Sequence, residues 1–209
     1  MIDKKENTEE KIIDAARSVF IKKGMDGARM QEIADEAGIN KALLHYYFRS
    51  KEKLFDKVFE GAFNSIAAGL RVTIDSDLSV MDKLKKFIDI YLTALESNPY
   101  LPLFVLNEIN INPDRMKNLL EEEIADNLQT LLADIMKEIN SGNMRPINPI
   151  HLFVNILGMM IFPYAAKPLL NTMVKDKLGI DYSELMSERK QVIFDFVYNA
   201  LKLDKDVQA

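Results

Sequence analysis

Cysteine is absent from the 209 residues, and histidine occurs only at His45 and His151. A disulfide framework, a thiolate zinc site and a cysteine nucleophile are excluded, and the composition fits a reducing cytosol. The two histidines lack HExxH spacing, so no metal site is expected. Glycine is sparse, at eight, and neither a glycine-rich phosphate loop nor a GxSxG elbow occurs. No catalytic residue and no cofactor are therefore expected, and the chain reads as something other than an enzyme. No apolar stretch follows the charged run MIDKKENTEEK, so a secretory leader is not expected. Long apolar runs are missing too. The uncharged interval between Arg145 and Lys167 is interrupted by Asn148, Pro149, His151, Asn155 and Pro163, whereas a spanning helix needs about 20 predominantly apolar residues. It reads as a buried or interface helix of a cytoplasmic protein with no membrane partner.

Hydrophobic residues make up 48% and charged residues 28%, which suits a globular chain with a sizeable core. The net charge of -5 is unevenly spread. Residues 1–60 hold 12 basic and 12 acidic side chains, and residues 61–209 hold the remaining 15 and 20. Within 41–57, Lys41, Arg49, Lys51, Lys53 and Lys57 face only Glu52 and Asp56. A small basic patch on an acidic protein would favour one orientation towards a polyanion.

Apolar residues recur at helical spacing almost throughout, and no useful stretch alternates with period two. Ile12, Ala16, Val19 and Phe20 form the stripe of a first helix, with Thr8 as its cap and Gly24 near its end. Short helices follow at about 30–37 and 41–47. Ser50 caps a long helix to about 73, with Leu54, Val58, Ala62 and Ile66 on one face. Asp77 or Ser79 starts the next, which Asn98-Pro99 stops. A shorter helix spans roughly 100–110. Met116 through Ile139 steps by three and four as the most regular helix. An uncharged helix runs from about 149 towards 175 with a kink at Pro163 or Pro168, and a last helix covers about 183–202. The expectation is an all-α chain of about nine helices.

Residues 30–55, MQEIADEAGINKALLHYYFRSKEKLF, meet the demands of a helix-turn-helix. Its first helix packs inward, its turn is tight, and its second helix leaves a face free for the major groove. Ile33, Ala34 and Ala37 are the inward positions, with Ala34 small enough for close crossing. Gly38 supplies a positive φ at the turn, Ile39 covers it, and Asn40 caps the second helix. Leu44 and Phe48 face the core, leaving Lys41, Ala42, Leu43, His45, Tyr46 and Tyr47 outward.

This stretch resembles the DNA-binding signature of the TetR family of repressors. The resemblance rests on the Ile-Ala pair, the Ala-Gly-Ile-Asn turn, the aromatic cluster ending in Phe48 and the Ser-Lys-Glu start of the fourth helix. It covers residues 8–60, and the remainder is similar only in length and helix count. It implies a helix-turn-helix DNA-binding domain at 1–52, with the motif at 30–49, and a helical effector-binding and dimerisation domain at 53–209. Lys41, Ala42, Leu43 and His45 take base-reading positions, Gln31 can also reach a base, and Tyr46, Tyr47 and Lys51 take phosphate-facing ones. Lysine can donate to guanine and apolar groups suit a thymine methyl, while tyrosine hydroxyls and lysine hold phosphate. Leu43, His45 and Met30 depart from the residues usual in the family, which obscures the operator. His45 also fits a surface histidine without contacts, and Tyr46 fits partial core packing.

The last two helices carry broad apolar faces that would make a two-fold four-helix interface, with Asn155, Gly158, Ile193, Phe196, Val197 and Ala200 as contact residues. Intramolecular burial would explain the same pattern. The resemblance implies a small-molecule effector, whose pocket candidates are Phe63, Phe87, Tyr91, Phe104, Asn107, Glu108, Met159, Phe162 and Tyr164. Each also fits plain core. The expected function is a dimeric repressor released from a palindromic double-stranded operator by an unknown effector. The alternative is a ligand-independent DNA-binding regulator acting through a protein partner.

Overall fold

The computed structural model describes residues 2–74, 77–99, 101–111, 113–114, 117 and 125–203, with the side chains of 2–6, 59–66, 72, 104 and 108 left aside. Eleven helices are found among the described residues, and no strand: α1 (Ile2–Gly27), α2 (Met30–Glu36), α3 (Lys41–Tyr47), α4 (Lys51–Ile74), α5 (Val80–Ser97), α6 (Leu101–Ile111), α7 (Ala125–Asn140), α8 (Pro149–Ala165), α9 (Lys167–Leu178), α10 (Tyr182–Ser187) and α11 (Arg189–Leu201). The fold class is all-α, as the periodicity requires. The chain divides into two compact units. One comprises Met1–Ser65 with Leu103–Pro113, the other Ile66–Pro102 with Asp114–Ala209.

The first unit is the head. Ile12, Ala16, Phe20, Ile33, Ala34, Leu44, Leu54 and Phe55 are all buried in it. Phe20 meets Phe55 edge-on at 5.0 Å, 74° between planes, the arrangement that ring quadrupoles favour. Helix α1 starts earlier than the Thr8 cap allows, at Ile2, so Thr8 lies inside it. Gly24 breaks its helical course with φ 68°, ψ 174°.

In the second unit, α5 packs against α7, α8 and α11, and α8 also touches α7 and α11. Leu84, Ile88, Leu92 and Leu95 of α5 are buried in this unit, as are Leu131, Ile135, Leu152, Ile156, Met160, Ile193 and Val197 of the helices packed on it. Ser79 caps α5 by accepting from the Asp82 N–H at 3.2 Å, so of the two candidate starts Ser79 is the one used. Lys83 reaches Asp134 at 2.8 Å and ties α5 to α7. Lys190 reaches Asp89 at 3.1 Å and ties α11 to α5. Met116, Leu119, Leu120 and Ile124 of the expected regular helix lie outside the described residues, and Ala62 and Ile66 outside the described side chains.

The uncharged segment does not run as one helix. Helix α8 continues through Pro163, and the bend of 74° falls where α8 gives way to α9. Pro168 then sits in the first turn of α9, where its missing N–H costs nothing. No single helix among the described residues is long and apolar enough to cross a membrane. The last expected helix is likewise two, α10 and α11, joined at Glu188.

Pro163 has no N–H, so the carbonyl of Met159, four residues before it, lacks its helical donor. Arg189 supplies the replacement. Its Nη2 donates to Met159 O at 2.9 Å and its Nε at 3.3 Å. Burial pulls the guanidinium pKa below its ordinary value. Arg189→Leu is expected to lower stability by about 1–3 kcal/mol, the cost of a stranded carbonyl. The same change should cost clearly less in a Pro163→Ala background, where a backbone N–H returns to Met159. Equal losses in the two backgrounds, measured by denaturant melts, would refute this coupling.

Candidate nucleic-acid interface

The helix-turn-helix is built by a few local choices. Asn40 Oδ1 accepts from the Leu43 N–H at 2.8 Å, capping α3. Gly38 adopts φ 67°, and the N–H groups of Gly38 and Ile39 close the turn on Asp35 O and Ala34 O at 3.1 and 3.0 Å. Ser50 Oγ accepts from the Lys53 N–H at 3.2 Å and starts α4. Leu44 is fully buried and Phe48 is 8% exposed, so their spacing of four fixes which side of α3 faces away.

That outer side carries Lys41, Ala42, His45 and Tyr46, all exposed, while Leu43 and Tyr47 are half-buried. Tyr46 is 70% exposed and so is not core. Its ring meets Tyr47 edge-on at 5.5 Å. Gln31 is exposed on α2 and donates to Asp35 Oδ1 at 2.8 Å. Lys51 is half-buried, and its ammonium lies 3.2 Å from Ala28 O and 3.4 Å from Asp26 O. It therefore pins the α1–α2 junction to the start of α4 with two of its three donors. Lys23 reaches Glu32 at 2.8 Å, and that hydrogen bond holds the Glu32 carboxyl below its ordinary range.

Among the described residues, two concavities are found on the head. One, of about 390 Å³, is lined by Tyr46, Tyr47, Phe48, Arg49, Asp56, Lys53 and Lys57. Sequence reasoning counted these three cations without assigning them a role. Their spacing of four was the available signal. The other, of about 440 Å³, is lined by Ile21, Lys23, Gly24, Met25, Asp26, Asn107 and Ile111.

The remaining site expectations fare unevenly. Asn107 belongs to the head, beside Gly24, and not to the unit that holds Phe87 and Tyr164. Phe87 and Tyr164 are buried. Phe87 stacks on Phe153 at 6.0 Å and meets Tyr91 at 5.6 Å. Burial pushes the Tyr91 and Tyr164 phenols up to about 12, with Glu96 adding to the effect on Tyr164. Met159 is half-buried, and Phe162 faces outward at 57% exposure. Phe63, Phe104 and Glu108 lie outside the described side chains. Of the interface candidates, Asn155, Gly158 and Phe196 are exposed and Ala200 is half-buried. Ile193 and Val197 are corrected. They are buried within the chain, because the stripe at 193, 197 and 201 is the side of α11 that faces α5 and α8.

A family model described as bacterial regulatory proteins, tetR family, matches residues 12–58. The HTH-type transcriptional regulator RutR of Escherichia coli K12 is 30% identical over 150 residues, covering 69% of this chain and 68% of that protein. The IcaR negative transcriptional regulator of the icaADBC biofilm operon in Staphylococcus epidermidis is 27% identical over 128 residues, covering 61% and 67%. Among solved structures, the ketosteroid transcriptional regulator KstR2 of Mycobacterium tuberculosis shares the fold with a TM-score of 0.70 at 16% identity, covering 94% and 95%. The hemolysin II transcriptional regulator HlyIIR shares it with a TM-score of 0.64 at 24% identity, covering 87% and 96%.

Proposed function

We propose, from the premise that this chain belongs to the tetR family of bacterial regulatory proteins, that it is a homodimeric repressor which a small-molecule effector releases from a palindromic operator. The coarser statement needs no proposal: it is a DNA-binding transcriptional regulator and not an enzyme. The carrying observation is the outer face of α3. Leu44 and Phe48 anchor the helix from behind, and Lys41, Ala42 and His45 stand exposed in front. In this reading Lys41, Ala42, Leu43 and His45 meet base edges, and Gln31 reaches a neighbouring one. Tyr46, Tyr47 and the third donor of Lys51 hold phosphates and fix the register. IcaR is a negative regulator by name, which favours repression. The protein would act in the cytoplasm.

Within the head, residues 1–52 would form the DNA-reading domain, and the effector-sensing and dimerising domain would lie within 53–209. Helix α4 is shared, since its residues fall in both compact units, which makes it the natural carrier of an effector signal. Release requires an effector that prefers the DNA-free state, because equal affinity for both states shifts nothing. The outer faces of α8 and α11 would pair across the dimer axis. Footprinting on the DNA flanking its own gene tests the reading, and absence of any protected palindrome at moderate salt would overturn it. Lys51→Ala should weaken binding alike on all sequences and flatten its salt dependence by about one unit of slope per head. A loss confined to one operator base would contradict the phosphate role. A thermal-shift screen addresses the effector, since a ligand bound to the folded state raises the melting temperature.

A further inference from the structure

We propose that the groove between the end of α3 and the first turns of α4 holds the phosphodiester backbone of DNA outside the segment that α3 reads, with Arg49, Lys53 and Lys57 as its cations. The inference rests on the DNA-binding reading and extends it along the duplex. The groove encloses about 390 Å³, and Tyr46 and Tyr47, at the end of the recognition helix, form one wall. It is therefore continuous with the face that meets bases.

The three cations are exposed. No side-chain hydrogen bond or ion pair engages them among the described residues, whereas Lys23 is spent on Glu32 and Lys51 on two carbonyls. Lys53 and Lys57 are four apart and so share one side of α4. Asp56 is the single carboxylate in the lining, which leaves the groove with a formal surplus of two positive charges. That surplus stands on a chain whose net charge is -5.

The groove is open, and its cations sit on long flexible stems. Such a site suits a polyanion held by several weak, sequence-blind contacts, each releasing counterions. A small phosphorylated molecule would need a closed pocket with fixed donors. Nothing in the lining reads a base, so the groove adds affinity and length of footprint without adding specificity.

The test uses a 40-base-pair duplex that the full chain selects from a random-sequence pool, and the same duplex trimmed to the base pairs whose substitution changes affinity, the segment that α3 reads. On the long duplex, Lys53→Gln with Lys57→Gln is expected to flatten the plot of log affinity against log salt by about one unit per lysine per bound head. On the trimmed duplex the variant and the parent should bind alike. Lys202→Gln, an exposed lysine of the other unit, removes one charge and should leave the slope unchanged. An unchanged slope for the double variant on the long duplex overturns the proposal, as does equal flattening on the trimmed one. If the parent selects no sequence and shows no salt-dependent binding, the DNA-binding reading fails with it. If the parent binds and only the slope prediction fails, the groove assignment alone falls. Inorganic phosphate at matched ionic strength should leave parent and variant melting temperatures equal. A rise confined to the parent would assign the groove to a free anion instead.

Discussion

Val154→Asp combined with Phe196→Asp is expected to make the chain monomeric and to weaken DNA binding by about two to four orders of magnitude, the usual range for losing a linked second contact. Val154 is 57% exposed and Phe196 61%, although both stand on helices that contact each other and share a buried inner side. On α8 the outward residues Ile150, Val154, Gly158 and Phe162 recur every four positions, and α11 adds Val192 and Phe196. An apolar stripe across two adjacent helices is unusual on a monomer and marks a contact surface. A two-fold axis would set this patch against its own copy, so each aspartate enters the interface twice. Neither position is in the core, so the variant should melt as a folded protein. Gly158 supplies an independent sign test. A Cβ built there meets nothing within 4 Å, and alanine in a helix interior gains about 0.5–1 kcal/mol over glycine. Gly158→Ala should therefore stabilise an isolated chain but weaken self-association if the helices cross closely at that point. Sedimentation velocity decides the matter. A double variant that remains dimeric removes α8 and α11 from the interface.

The head was legible in detail because its determinants are local. Asn40, Gly38, Ser50 and the Leu44–Phe48 pair each act within four residues, and the structure uses them as caps, turn and anchor. Helix α3 spans the residues its spacing implied. Lys51 was legible as a cation but not as a brace, because Asp26 O and Ala28 O are more than twenty residues distant in sequence. The groove cations were visible as charge, yet their grouping with Tyr46 and Tyr47 depends on how α4 leaves the motif.

The second unit was less legible, for a related reason. Broad apolar faces on α8 and α11 do not say which side meets the same chain. Ile193 and Phe196 are equally apolar and three residues apart, but one is buried and the other exposed. Only the packing of α5 against α8 and α11 separates them. The bend after α8 was expected at a proline and falls between two. Pro163 stays helical because a side chain from α11 satisfies the carbonyl it strands, a contact no local pattern announces. Phe87 and Tyr164 look the same in sequence whether they line a cavity or fill a core. Both are buried, which either role requires.

Leu44→Ala should abolish DNA binding at physiological temperature by melting the head, without touching any group proposed to meet DNA. Leu44 is fully buried on α3, which packs against α2, and Ile33, Ala34 and Leu54 are buried as completely. Leu→Ala changes at such sites cost about 2–5 kcal/mol, a large share of the 5–15 kcal/mol typical of a whole domain. Hydrogen exchange should quicken across residues 30–48, while α5, α8 and α11 stay protected. Binding should recover on cooling, and the salt dependence of the recovered binding should match the parent, since Tyr46, Tyr47 and Lys51 are intact in every folded molecule. That separates a packing residue from a contact residue. Lys41→Ala should leave stability almost unchanged, because its side chain is exposed, and should lower affinity for the operator more than for random DNA. If Leu44→Ala bound DNA normally with unaltered exchange in α3, the buried side of the recognition helix would be misassigned, and with it the outer face on which the DNA-binding roles depend.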